Sequence, residues 1–221
     1  IVDKNLVEFV IEEFLDPDFA VTASFVLSVA PPAFADDLVK GLLSMFEALD
    51  EGERRRGLII LQSALRDVSE LDPSLRLRSK SLLEELLPPK SYDEANDLAI
   101  VGTPIIDLLQ EYADERYRDY WPYCVFALLN CPEREAVFAI GQYAQLGDEI
   151  IEEMLSEGRS LFERGIYNSI VLSHCRSLRE IEVRSLDDVA IARKQASLER
   201  LVIDGLSEAL HIPDLGEASH I

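Results

Sequence analysis

Two of the chain's three cysteines, Cys124 and Cys131, stand seven positions apart, nearly on one face of a helix, and His174-Cys175 follows further along. Four such side chains make a set of the kind zinc accepts. The pattern argues against a metal, because no C-x-x-C pair is present and reduced Cys is among the most commonly buried residue types. Pro132 also ends a helix at Cys131, which loosens the geometry. The cysteines read as core residues, and no metal or other cofactor is expected. Catalytic motifs are missing as well: there is no G-x-G-x-x-G, P-loop, G-x-S-x-G or H-E-x-x-H. Imidazole is supplied only by His174, His211 and His220. The adjacent carboxylates Asp36-Asp37 and Asp187-Asp188 stand near expected helix starts, where the dipole favours them, and read as caps. Nothing selects a glycosidase-like pair from the 42 acidic residues. No catalytic residue is assigned, and the chain is not expected to be an enzyme.

The richest stretch for recognition runs from Tyr117 to Pro132. It packs Tyr117, Tyr120, Trp121, Tyr123 and Phe126 into ten positions, includes the only Trp, and is flanked by Arg116 and Arg118. On a continuous helix Tyr117, Tyr120, Trp121 and Cys124 would share a stripe, with Tyr123 elsewhere. Tyr and Trp join an apolar body to a polar tip, and with Arg they make up binding hot spots. The stretch is therefore either core packing between helix layers or an exposed binding surface built from Arg116, Tyr117, Arg118, Tyr120 and Trp121. Whether Trp121 is core or surface separates the two.

Charge narrows the partners. With 42 acidic against 21 basic residues the formal charge is -21, which opposes both nucleic acid and anionic lipid. Lysine is scarce, and sixteen of the basic residues are Arg. Such a surface is a generic solvated one, the mark of a salt-adapted host, or a means of steering a basic partner. Acidic faces such as Glu149, Glu152 and Glu153 are candidates for the last role. The triplet Arg54-Arg55-Arg56 is the densest basic cluster and reads as a solvated face pairing with nearby carboxylates. Few cysteines in no framework suit a reducing, cytoplasmic setting. No long uncharged apolar run is present, so no membrane span is expected.

The elements that must position these residues are helices. Leu6, Phe9, Val10 and Phe14 set a helical period that stops at Asp16-Pro17-Asp18. A second helix, from about Phe19 to Ala30, is apolar nearly all round and is expected to be buried on several sides. After Pro31-Pro32 a third carries Phe34, Leu38, Leu42 and Phe46 on one stripe, with Asp36 and Asp37 placed in its first turn. Further helices are expected over Leu75 to Leu87, from Ser91 to Tyr112 with a break at Gly102-Thr103-Pro104, and over Glu133 to Gln145, Asp148 to Leu155 and Arg159 to Leu172. Ser91 and Glu94 are spaced as a capping box. The longest helix is placed from Leu186 to Leu210, and residues 211–221 read as a frayed polar tail. Glu180 to Arg184 alternates apolar with charged residues but reads as a linker. The fold class is all-α, with about ten antiparallel helices in one domain over residues 1–221.

Leu15-Asp16-Pro17 recurs as Leu71-Asp72-Pro73 and Pro31-Pro32 as Pro88-Pro89, at offsets of 56 and 57 positions, with Cys131-Pro132 as a degraded third echo. Helix, Asp-Pro turn, helix over Leu6 to Ala30 resembles a HEAT unit, and the chain as a whole resembles a HEAT- or armadillo-like α-solenoid, right-handed; the alternative is a compact helical bundle. The resemblance implies a helical-repeat scaffold that binds a protein or peptide along its concave side. A basic partner is the one the acidic faces favour. The contacts would come from Arg116, Tyr117, Arg118, Tyr120, Trp121, Glu149, Glu152 and Glu153. An acidic inhibitor or immunity-type protein that neutralises a basic partner, and an all-α enzyme with an unidentified site, are the other readings. Oligomeric state and partner identity are not written in the sequence.

Overall fold

The computed structural model describes residues 4–16, 19–131, 133–195 and 198–203. The protein is mostly helical, 66% by residue, so the all-α expectation holds at the level of class. Its contacts cluster into two compact units, Ile1–Ala139 and Ile140–Ile221.

The first unit holds α1 (Lys4–Glu13), α2 (Ala20–Val29), α3 (Pro32–Phe46), α4 (Glu51–Leu65), α5 (Pro73–Glu84), α6 (Tyr92–Ala99), α7 (Thr103–Gln110), a 3-10 stretch (Glu115–Tyr120) and α8 (Trp121–Leu129). Their boundaries follow from local chemistry. Asp50 caps α4 by accepting from Glu53 N at 2.9 Å, and Asp72 caps α5 from Ser74 N at 2.7 Å, with Pro73 in the first turn. Ser91 accepts from Glu94 N at 3.2 Å to cap α6, while the Glu94 carboxylate reaches back to Lys90 N at 2.9 Å. Gly102 takes φ 75, a left-handed conformation other residues rarely adopt, and Pro104 then sits in the first turn of α7. The break foreseen at Gly102-Thr103-Pro104 thus separates two helices.

Helices pack on alternate neighbours, α1 on α3, α2 on α4 and α6 on α8, and also on sequential ones, α3 on α4, α4 on α5 and α7 on α8. Phe14, Leu27, Leu38, Leu42, Phe46, Leu58 and Leu61 are fully buried between α1 to α4. The expected Arg triplet pairing is met at Arg54 with Glu85 (2.8 Å) and Arg55 with Glu94 (3.5 Å).

Three expectations need correction here. The stripe Val21, Phe25 and Val29 of α2 is exposed, so that helix is not buried on several sides; among its described side chains only Leu27 is fully enclosed. Because α3 begins at Pro32, Asp36 and Asp37 lie beyond its first turn, and Asp36 instead accepts from Asp72 N at 2.8 Å, tying α3 to the start of α5. The two Pro-Pro pairs also differ in role, since Pro32 opens α3 whereas Pro88-Pro89 precede a helix capped by Ser91. Pro17 and Pro132 of the other recurring markers lie outside the described residues.

The second unit carries most of α9 (Ala136–Ala144), then α10 (Glu149–Glu157), a 3-10 turn (Gly158–Ser160), α11 (Arg164–Tyr167) running into a π-turn (Asn168–Leu172), β1 (Glu180–Val183), α12 (Leu186–Ala192) and β2 (Arg200–Ile203). β1 and β2 pair in parallel, Ile181 beside Leu201 and Val183 beside Ile203, so α12 is the crossover of a small β-α-β unit. The linker expected at Glu180 to Arg184 is therefore a strand. The helix expected from Leu186 to Leu210 stops at Ala192, and Leu201-Val202-Ile203 is extended. Leu198, Leu201 and Val202 fit helical spacing, but a β-branched run beside a strand edge gains more from pairing. Leu206, Leu210 and the tail at 211–221 lie outside the described residues.

Gly57 on α4 offers a test of the first core. A Cβ there would stand 2.4 Å from the Phe46 ring. Helix propensity alone favours Ala over Gly by about 1 kcal/mol. Overpacking against a fully buried ring costs about 1–3 kcal/mol, so Gly57→Ala should lower the urea midpoint where propensity alone would raise it.

Candidate functional site

A cleft of about 870 Å³ opens in the second unit. One wall is α10, on which Glu149, Glu153 and Glu157 recur at every fourth position and so form a single exposed row. Asp148 starts this helix by accepting from Ile150 N at 3.1 Å and Ile151 N at 3.4 Å. None of the three row carboxylates makes an ion pair or accepts a hydrogen bond among the described residues. Ile150 and Phe162 add apolar surface, and the strand side brings Arg179, Glu180, Glu182 and Arg184.

Beneath the cleft lies a buried ionic node. Asp188, 0% exposed, accepts from Arg164 Nη2 at 2.9 Å, Asn168 Nδ2 at 2.5 Å and Arg184 N at 2.8 Å, and it pairs closely with Arg159. The same two guanidinium groups donate to Glu182 O, from Arg159 Nη1 at 2.5 Å and Arg164 Nη2 at 3.0 Å. They thereby occupy a β1 carbonyl and tie α11 and the 3-10 turn to the strand. Ser185 caps α12, accepting from Asp188 N at 3.3 Å. Burial pushes the Asp188 carboxyl up, but the Arg184 N–H, the Arg159 charge and the Arg164 hydrogen bond outweigh it and hold it below the usual carboxylate range. Burial also lowers the Arg159 guanidinium, against the pull of Asp188, from a value so high that it stays charged at neutral pH. Arg159, Arg164 and Arg184 are thus spent on internal charges, while among the described residues the α10 row and the cleft-lining Arg179 are not.

The residues named from sequence divide between the units. Glu149 and Glu153 line the cleft. Glu152 does not belong with them: it is 1% exposed and its Oε2 accepts from Arg176 N at 2.8 Å and Ser177 N at 2.5 Å, so it fastens the segment before β1. It lies one position, about 100° of helix, from Glu153, and that turn takes it from the solvent face to the core face. In the first unit Trp121 is 2% exposed and its Nε1 donates to Tyr112 O at 3.0 Å and Asp114 O at 3.2 Å. It is core and cannot be an exposed contact. The stripe expected of Tyr117, Tyr120 and Trp121 does not form, because Glu115–Tyr120 is 3-10 with Tyr117 at φ -112, ψ 19, and α8 restarts the register at Trp121.

Tyr117 and Tyr120 are half-buried. Arg116 and Arg118 are exposed, paired with Asp114 at 2.8 Å and Glu115 at 3.4 Å. Arg116 lies over the Tyr117 ring at 5.5 Å and Arg118 over Trp121 at 6.0 Å. Tyr117 meets Tyr112 edge to face, with centroids 4.8 Å apart. The cluster is largely satisfied within itself.

All three cysteines are buried, none in a disulfide. Burial pushes the Cys131 and Cys175 thiols up to about 12, which leaves neither a nucleophile at neutral pH. No three His, Cys, Asp or Glu side chains converge as a metal site among the described residues. No described helix is long and apolar enough to cross a membrane. Sequence reading missed Glu157, Arg159, Arg164 and Asp188 as parts of one site; the Ser185-x-x-Asp188 spacing was the available signal, and it indicates a cap without the arginines.

Comparison with protein-family models, curated proteins and solved structures found no match for this chain.

Removing Asp188 would leave two guanidinium groups buried without their counter-charge. Asp188→Ala should therefore cost the second unit about 3–5 kcal/mol in denaturant unfolding. The folded carboxyl lies below its unfolded value, so its contribution is complete above about pH 4 and is lost as pH falls through the folded value. In Asp188→Asn that acid-dependent component should vanish from the stability profile.

Proposed function

We propose that this chain is a non-enzymatic helical interaction module that receives a basic segment of a protein or peptide partner in the cleft beside α10. The observation that carries the reading is the row of Glu149, Glu153 and Glu157, exposed along an open cleft and forming no ion pair among the described residues. A partner's Lys or Arg side chains would meet these carboxylates at the cleft wall, with Ile150 and Phe162 available to their aliphatic stems. The net charge of -21 would steer such a partner from a distance. Packing of alternate helices in the first unit supports, for that unit, a two-layered stack of the kind a HEAT-like scaffold uses.

The test is titration of the full chain with a Lys/Arg-rich peptide, made non-helical by proline, against the Glu149→Gln, Glu153→Gln, Glu157→Gln variant. All three side chains are exposed, so the fold should persist by circular dichroism. Exposed charge pairs contribute about 0.2–1 kcal/mol each, so binding should weaken roughly tenfold and its salt dependence should flatten. Equal affinity of variant and wild type would overturn the proposal.

A further inference from the structure

The face of α2 turned away from the core raises a separate question. Val21, Phe25 and Val29 are 79%, 66% and 62% exposed and lie one turn apart on a single stripe. On the opposite side Leu27 is fully buried. Thr22 and Ser28 border the stripe, and the ten residues of α2 contain no charge. An apolar ridge of this length is not needed by the core it leaves behind, and contiguous exposed apolar surface marks interaction sites.

We propose that this stripe docks an amphipathic helix of a partner whose polar face is basic. The i, i+4, i+8 spacing matches the seam by which one helix lies along another. Two observations select that occupant. The three side chains expose on the order of 300 Å² of apolar surface, well under the roughly 800 Å² per partner of a stable complex between folded proteins, but suited to anchoring one helix. A second copy of the chain would also bring -21 against -21, and an anionic bilayer is repelled in the same way, whereas a helix flanked by Lys and Arg is drawn in. The proposal does not depend on the cleft, which belongs to the other unit.

The experiment uses the full chain, its Phe25→Ser variant and three synthetic peptides. One is an amphipathic helix with a Leu seam and Lys/Arg on its polar face, one is the same helix with Glu in place of the cations, and one is a scramble of the first. Because Phe25 is largely exposed, thermal unfolding should show the variant folded. The basic helix should bind wild type and lose about tenfold or more in affinity with Phe25→Ser, and neither the acidic helix nor the scramble should show this dependence on Phe25. Equal binding of the basic helix to both chains would overturn the proposal. So would a dimer seen by sedimentation, or binding to anionic vesicles, that Phe25→Ser abolishes.

Discussion

A carboxylate with no access to water stays ionised only where the protein replaces its hydration shell, and the second unit is assembled around one such replacement. Asp188 is surrounded by the Arg159 and Arg164 guanidinium groups, the Asn168 amide and the Arg184 N–H. Each donor comes from a different piece of chain: the turn after α10, α11, the π-turn, and the end of β1. The carboxylate therefore fixes their mutual positions, and Arg159, Arg164 and Arg184 among them also line the cleft. Two parallel strands have little stability by themselves. Here Arg159 and Arg164 also occupy the Glu182 carbonyl on β1, so the same pair that neutralises Asp188 holds the strand.

That arrangement decides which charges are available to a partner. The buried and half-buried arginines are consumed internally, and Glu182 is shared between Arg164 and Arg184. Glu149, Glu153 and Glu157 are left facing solvent across the cleft. Exposed charges in water interact weakly one at a time, so the proposed recognition by this wall would depend on several acting together and on the walls excluding solvent. The α2 stripe works by the opposite physics, offering apolar surface without charge.

Much of the first unit is legible in the sequence because its helices are bounded by residues with strong local preferences. Asp50, Asp72 and Ser91 act as caps, and Gly102 with Pro104 divides α6 from α7. What failed depended on contacts distant in sequence. Arg200 to Ile203 fits a helical period and becomes a strand only because β1 lies beside it. Trp121 stood open between core and binding surface, and its 2% exposure places it in the core. Glu152 looked like a surface acid, and its two backbone donors lie more than twenty residues away. Ser185 and Asp188 announce a helix start, yet nothing in their spacing shows that Asp188 also gathers arginines from 24 and 29 residues upstream.

In the proposed binding mode the cleft wall of α10, and not the acidic surface as a whole, receives positive charge. Amide chemical shifts of the full chain, followed as a proline-interrupted Lys/Arg peptide is added, test it most directly. The shifted resonances should concentrate at residues 149–160 and 177–184, which line the cleft. Shifts spread evenly over the exposed carboxylates of both units, or centred on Arg116 to Tyr120, would contradict it.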